Sequence, residues 1–163
     1  MKLELRTEDE AGTRALGRRL GERLGPGVLV GIDGPLGAGK TVFVQGLARG
    51  LGVPESTRVS SPTYAYVNEY EARPGVRLLH LDLYRLSSID DLEAIGYREM
   101  YDAEGAVCAV EWFSRVPEAH PAAWLEVRIE PEAEEDGARR VTVVAHQGHG
   151  QAALEHVAQG WGP

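Results

Sequence analysis

The chain has 163 residues, of which 43% are hydrophobic and 26% charged, with a formal net charge of −8. These are the values of one globular domain, residues 1–163, long enough to bury a core. The acidity argues against a protein that holds nucleic acid unaided, since affinity for a phosphate backbone comes from clustered Lys and Arg. No apolar run nears the ~20 residues of a bilayer span. Residues 1–6 are charged and alternating, unlike a signal peptide. The lone Cys108 allows no intrachain disulfide, so a cytoplasmic protein without membrane contact is expected.

In chain order, Thr7-Glu8-Asp9-Glu10 is a capping-box signature that opens a helix. Leu16, Leu20 and Leu24 continue that helix, and Gly25-Pro26 stops it. Residues 28–32 form a short apolar run of the buried-strand kind. Gly34-Pro35-Leu36-Gly37-Ala38-Gly39-Lys40-Thr41 follows, then Val44, Leu47, Ala48 and Leu51 at amphipathic-helix spacing. Residues 53–62 read as a connection. Residues 65–71 and 76–83 are strand-like and joined by Arg73-Pro74-Gly75, which predicts a hairpin. Ser88, with Asp91 three residues on, caps a short helix that Gly96 ends. Residues 106–110 are a second continuous apolar strand. Leu125, Val127 and Ile129 alternate, as do Val141 and Val143, around an acidic solvated loop at 130–137. His146-Gln147-Gly148-His149 has a metal-like spacing but no Cys or carboxylate companion, and reads as flexible tail. Residues 151–159 form a terminal helix. The pattern predicts a three-layer α/β domain with a mixed parallel and antiparallel central sheet.

The glycine stretch matches G-x-x-x-x-G-K-[ST], the loop that wraps the phosphates of ATP or GTP. Its glycines let backbone N–H groups turn inward as an anion nest. Lys40 would reach the β- and γ-phosphates and the Thr41 hydroxyl would bind Mg²⁺. Only Lys2 and Lys40 are lysine among 17 Lys and Arg residues. A compact ammonium against phosphates is hard to replace with a planar guanidinium. No lysine follows Lys40, so the N-K-x-D motif of guanine recognition is excluded and ATP is the expected nucleotide.

Such a site needs a carboxylate at the tip of a strand beside the loop strand. Asp82 ends one strand and Glu111 another, and spacing alone does not choose. The run before Glu111 is uniformly apolar, as in a central strand. The run before Asp82 holds Arg77 and His80, more like an edge. Glu111 is therefore favoured as metal anchor, with Asp82 placing water or supporting it. Thr63, in Ser60-Ser61-Pro62-Thr63, is equally a γ-phosphate sensor or a turn residue. Arg85 either neutralises phosphate or pairs with a surface carboxylate. Trp112 is a lid or, as the safer expectation, core packing.

Leu36-Gly37-Ala38-Gly39-Lys40-Thr41, Ser61-Pro62-Thr63-Tyr64, His80-Leu81-Asp82-Leu83-Tyr84-Arg85-Leu86, Asp91-Leu92-Glu93 with Ile95-Gly96, and Glu111-Trp112 together resemble the TsaE (YjeE) family. These are small P-loop ATPases of bacterial tRNA threonylcarbamoyladenosine formation. The matching elements run over residues 3–113; the remainder matches in length and hairpin pattern. The resemblance implies a P-loop NTPase fold that cradles ATP on Leu36, Gly37, Ala38, Gly39, Lys40 and Thr41. It implies Thr41 and Glu111 as Mg²⁺ ligands, Asp82 as a carboxylate required for activity alongside Lys40, and Thr13 near the nucleotide. Trp112 matches the tryptophan beside the metal ligand. Pro35 departs from the family's usual acidic residue and, lacking an N–H, implies altered loop stiffness rather than lost binding. The implied role is a weak ATPase that docks on a heterodimer of the tRNA threonylcarbamoyl-transfer machinery, is stimulated there, and meets tRNA only through its partners.

Two other classes share the loop. A small-molecule P-loop kinase would need an Arg-bearing lid, and none follows where a lid belongs; Arg139-Arg140 falls in a predicted hairpin. A nucleotide-sensing module that never hydrolyses would need only one strand-end carboxylate.

Overall fold

The computed structural model describes residues 1–62 and 64–161. Its strands are β1 (Lys2–Thr7), β2 (Leu29–Asp33), β3 (Val67–Glu71), β4 (Arg77–Asp82), β5 (Ala106–Glu111), β6 (Trp124–Pro131) and β7 (Arg139–His146). Its helices are α1 (Glu10–Gly21), α2 (Lys40–Leu51), α3 (Ile89–Ile95), α4 (Tyr97–Tyr101) and α5 (Gln151–Gly160). The strands form one seven-stranded sheet in the order β1-β7-β6-β2-β5-β4-β3. The four inner strands from β6 to β4 run parallel, and antiparallel pairs close both sides: β6 with β7, β7 with β1, and β4 with β3.

Apolar residues on both faces explain why β2 and β5 lie in the middle; every residue of each is buried. Val30, Ile32, Leu78, Val107 and Ala109 pack under α1, α2 and α5, whereas Leu79, Leu81, Cys108 and Val110 pack with Leu92, Tyr97 and Phe113 on the opposite face. The three layers expected of the sequence are therefore present, with the mixed sheet between them. Helices α1 and α2 approach almost to backbone contact. A Cβ on Gly17 would lie 2.2 Å from the Phe43 carbonyl oxygen, and one on Gly46 would lie 1.9 Å from that of Arg14. Glycine is required there by space, and the helix that follows the glycine loop is thereby locked to α1.

Three expectations are corrected. Asp9, not Thr7, caps α1, its carboxylate accepting the Gly12 N–H at 2.8 Å. Thr7 instead ends β1, a strand the charged N-terminus did not announce, and its hydroxyl meets that of Thr13 at 2.9 Å. β4 is an inner strand, and His80 within it is fully buried. The stretch 146–149 is no loose tail: His146 stacks on Trp124 at 4.6 Å and bonds Glu126 at 2.8 Å, and His149 bonds the Gly27 carbonyl at 3.0 Å. Short α4 was not foreseen, because its packing side is set by β5 rather than by a long apolar stripe. No helix among the described residues is long and apolar enough to cross a membrane.

Candidate functional site

Parallel pairing decides where the carboxylates go. In the β4–β5 register Asp82 lies opposite Glu111, and in the β2–β5 register Ile32 lies opposite Glu111. Both acids therefore stand side by side at the strand tips, next to the point where β2 gives way to the glycine loop. This edge, where a loop leaves the end of a parallel strand and opens a helix, is where open α/β sheets bind ligands.

The loop needs its glycines at specific places. Gly34 has φ of 156°, and a Cβ there would lie 2.3 Å from the Ile129 carbonyl oxygen; Gly39, with φ of 102°, caps α2 in the left-handed region. The first amides of α2 have no intrahelical partner and carry the positive end of its dipole. Ala38 is buried, whereas Leu36 is exposed at the rim. The Lys40 amine donates to the carbonyls of Gly34 and Pro35, both at 2.8 Å, and lies 3.9 Å from the Trp112 ring centroid. Burial lowers the pKa of Lys40, and the charges of Glu111, Asp82 and Asp33 partly offset that. Pro35, which stands where the resemblance leads to an acidic residue, supplies its carbonyl both to Lys40 and to the Ala38 N–H at 3.1 Å.

The Thr41 hydroxyl donates to the Glu111 carboxylate, 3.0 Å from Oε1 and 3.3 Å from Oε2. Glu111 is 2% exposed, and its Oε2 meets His80 Nε2 at 2.5 Å. Nδ1 of His80 is buried without a partner. Asp82 is held at both oxygens: the Ser61 hydroxyl donates to Oδ2 at 2.7 Å and the Tyr84 N–H to Oδ1 at 2.8 Å. Asp82 also lines a cleft of about 180 Å³ with Leu36, Ser61, Pro62, Tyr66, Tyr84, Arg85 and Trp112.

This donor set fits magnesium, a hard cation held by one or two carboxylates and a hydroxyl while phosphates and water complete its shell. Two oxygens at 3.0 Å match the edge of an octahedron with metal–oxygen bonds of about 2.1 Å. Among the described residues no three His, Cys, Asp or Glu side chains converge on one point. An ion held here would therefore draw its remaining ligands from phosphate and water.

The sequence-predicted residues divide by position. Lys40, Thr41, Asp82 and Glu111 converge at one end of the sheet. Thr13 lies below the loop, 1% exposed, with its hydroxyl engaged by Thr7 and the Asp9 carbonyl at 3.2 Å. Thr63 lies outside the described residues. Arg85 forms no ion pair with a carboxylate among the described residues; its guanidinium lies over the Tyr64 ring, 4.8 Å from the centroid. Trp112 is half-buried, and its ring both packs on Tyr84 at 5.0 Å and covers Lys40. Sequence reasoning assigned no role to His80 or to the grip of Ser61 on Asp82. Strand alternation was an available signal for His80: it shares the face of Asp82, two residues away.

Comparison with known proteins follows the same elements. The family model described as "Threonylcarbamoyl adenosine biosynthesis protein TsaE" matches residues 7–141. The tRNA threonylcarbamoyladenosine biosynthesis protein TsaE of Treponema pallidum (strain Nichols) is 39% identical over 131 residues, covering 80% of this chain and 92% of that protein. Its counterpart of the same name in Bacillus subtilis (strain 168) is 34% identical over 145 residues, covering 88% and 86%. A crystal structure of Bacillus subtilis YdiB superimposes with a TM-score of 0.81 at 29% identity, covering 98% of this chain and 95% of that one.

Proposed function

Because the chain belongs to the TsaE family of threonylcarbamoyladenosine biosynthesis, we propose that it is a magnesium-dependent ATPase serving tRNA modification as an accessory subunit. The observation that carries this reading is the contact between Thr41 and Glu111 at the opening of α2, beside the buried Lys40 amine. In this reading the triphosphate rests against the amides of Gly37, Ala38, Gly39, Lys40 and Thr41. Lys40 exchanges the Gly34 and Pro35 carbonyls for phosphate oxygens. Thr41 and Glu111 would hold magnesium, which when bound would supply charge neutralisation to the phosphates. Asp82, fixed by Ser61 and Tyr84, orients the attacking water.

Turnover by the isolated chain is slow in this proposal, because the guanidinium groups near the cleft are committed elsewhere. Arg85 lies on Tyr64, and Arg115 donates to the Leu86 carbonyl at 3.3 Å. Stimulation comes from docking on the partner heterodimer, which also brings the tRNA. An exposed apolar rim supports docking at this mouth: Leu36, Tyr64 and Tyr84 are 78%, 80% and 47% exposed. A cytoplasmic setting follows from that role.

The experiment is calorimetry of Mg-ATP binding to the chain, then ATP turnover with and without the cognate heterodimer. Binding with partner-stimulated turnover is expected. No nucleotide uptake, or equal rates in both conditions, would overturn the reading.

A further inference from the structure

Arg139, the first residue of β7, reaches the phosphate loop from more than a hundred residues away. Its Nε donates to the Ala38 carbonyl at 2.8 Å, its Nη2 to the Gly37 carbonyl at 3.4 Å, and its Nη1 to the Ala138 carbonyl at 3.0 Å. All of its hydrogen-bond partners among the described residues are backbone oxygens, and no carboxylate there neutralises it. Arg140 beside it is different in kind: it is exposed and pairs with Glu132 at 3.4 Å. The β6–β7 hairpin also abuts the start of the loop, where the Ile129 carbonyl leaves no room for a side chain at Gly34.

A peptide unit is planar and trans, so its C=O and the following N–H point in opposite directions. A guanidinium that draws the Gly37 and Ala38 carbonyls outward therefore turns the Ala38 and Gly39 amides inward. The Ala38 N–H does point into the loop, donating to the Pro35 carbonyl at 3.1 Å. The planar fork suits this task, since one rigid group spans two adjacent carbonyls and cannot lose its charge.

We propose that Arg139 is a positioning residue for the phosphate loop, aiming the Ala38 and Gly39 amides at the triphosphate with an unneutralised charge behind them. This rests on the nucleotide-binding reading above, but part of its test does not. In ligand-free protein labelled with ¹⁵N, Arg139→Met is expected to shift or broaden the amide signals of Gly37, Ala38 and Gly39. Those of β3 and β4 should stay in place. Arg140→Met, which removes the same charge from the hairpin, should leave the loop signals unchanged. ATP affinity by calorimetry should fall about tenfold in Arg139→Met, the scale of losing a charged hydrogen-bond donor. It should stay within about twofold in Arg140→Met, whose lost charge lies on the solvated surface. Unmoved loop signals overturn the proposal, as does wild-type ATP affinity in Arg139→Met, or an equal loss in both variants. If wild-type protein binds no ATP, the nucleotide reading fails and the loop signals alone decide Arg139. Should Arg139→Met not fold, Arg139→Lys carries the test: about a threefold affinity loss is expected for the weaker single donor, and wild-type affinity overturns it.

Discussion

Thr41 and Glu111, 70 positions apart in the chain, share a hydrogen bond of 3.0 Å where the second helix starts and the fifth strand ends. Removing either group should separate metal dependence from phosphate binding. Thr41→Val keeps the shape but deletes the hydroxyl. We expect it to lower magnesium-dependent ATP turnover on the order of a hundredfold, the scale of lost metal charge stabilisation. ATP binding measured without magnesium should change little. Turnover unaffected by Thr41→Val would remove this hydroxyl from the site.

Asp82→Asn addresses the second carboxylate. Asparagine can still accept the Tyr84 N–H and engage the Ser61 hydroxyl, so the local structure should persist. Hydrolysis should fall on the order of a hundredfold or more, the range of lost general-base action. ATP affinity should stay within a few-fold. A collapse of affinity instead would place Asp82 directly on the metal or the phosphates.

Lys40 should give nucleotide binding an alkaline limit. Burial disfavours its ammonium form, so the amine loses its proton below the ordinary lysine range. As pH rises through that value the neutral amine no longer attracts phosphate, and ATP affinity should weaken. Stability of the ligand-free chain moves the other way. Over the same window the unfolded chain binds more protons, so this group's contribution to stability increases with pH. Calorimetric titrations and urea melts from neutral to alkaline pH read both. Flat affinity up to the ordinary lysine pKa would contradict the environment described for the amine.

Two glycine substitutions should differ for a stated physical reason. Gly46→Ala places a methyl 1.9 Å from the Arg14 carbonyl and must force α1 from α2. A loss of about 3 kcal/mol, at the upper end of overpacking costs, is expected. Gly75→Ala meets nothing within 4 Å and is penalised only by its φ of 78°, about 1 kcal/mol. Urea denaturation compares them, and equal losses would mean that the helix contact is looser than described.

Cys108 is held inside β5, and burial raises its thiol pKa to about 12. It should resist thiol-directed reagents at neutral pH in the native protein and react only on unfolding. Rapid labelling of folded protein would show that this strand opens readily.

The glycine loop, its strand and its helix were legible in the sequence because their signals are local: glycines where the backbone must turn, and a continuous apolar run before them. The 65–83 hairpin, the Ser88 cap and the terminal helix were legible for the same reason. β1 was missed because it is half-exposed and charged, and owes its strand conformation to the register with β7. His80 suggested an edge strand because a lone histidine looks solvent-seeking; in the fold its polar ring is matched by Glu111.

What the sequence alone determined was the glycine loop between a buried strand and a helix, and the residue types available around it, since residue type and short-range spacing are written in the chain. What only the tertiary structure decided was their company. Sheet register set Asp82 beside Glu111, the close crossing of α1 and α2 fixed the loop helix, and the β6–β7 hairpin brought Arg139 to the loop. Such neighbours come from strand pairing and close packing over long separations, where the free energy belongs to the whole assembly and leaves little trace in any one segment.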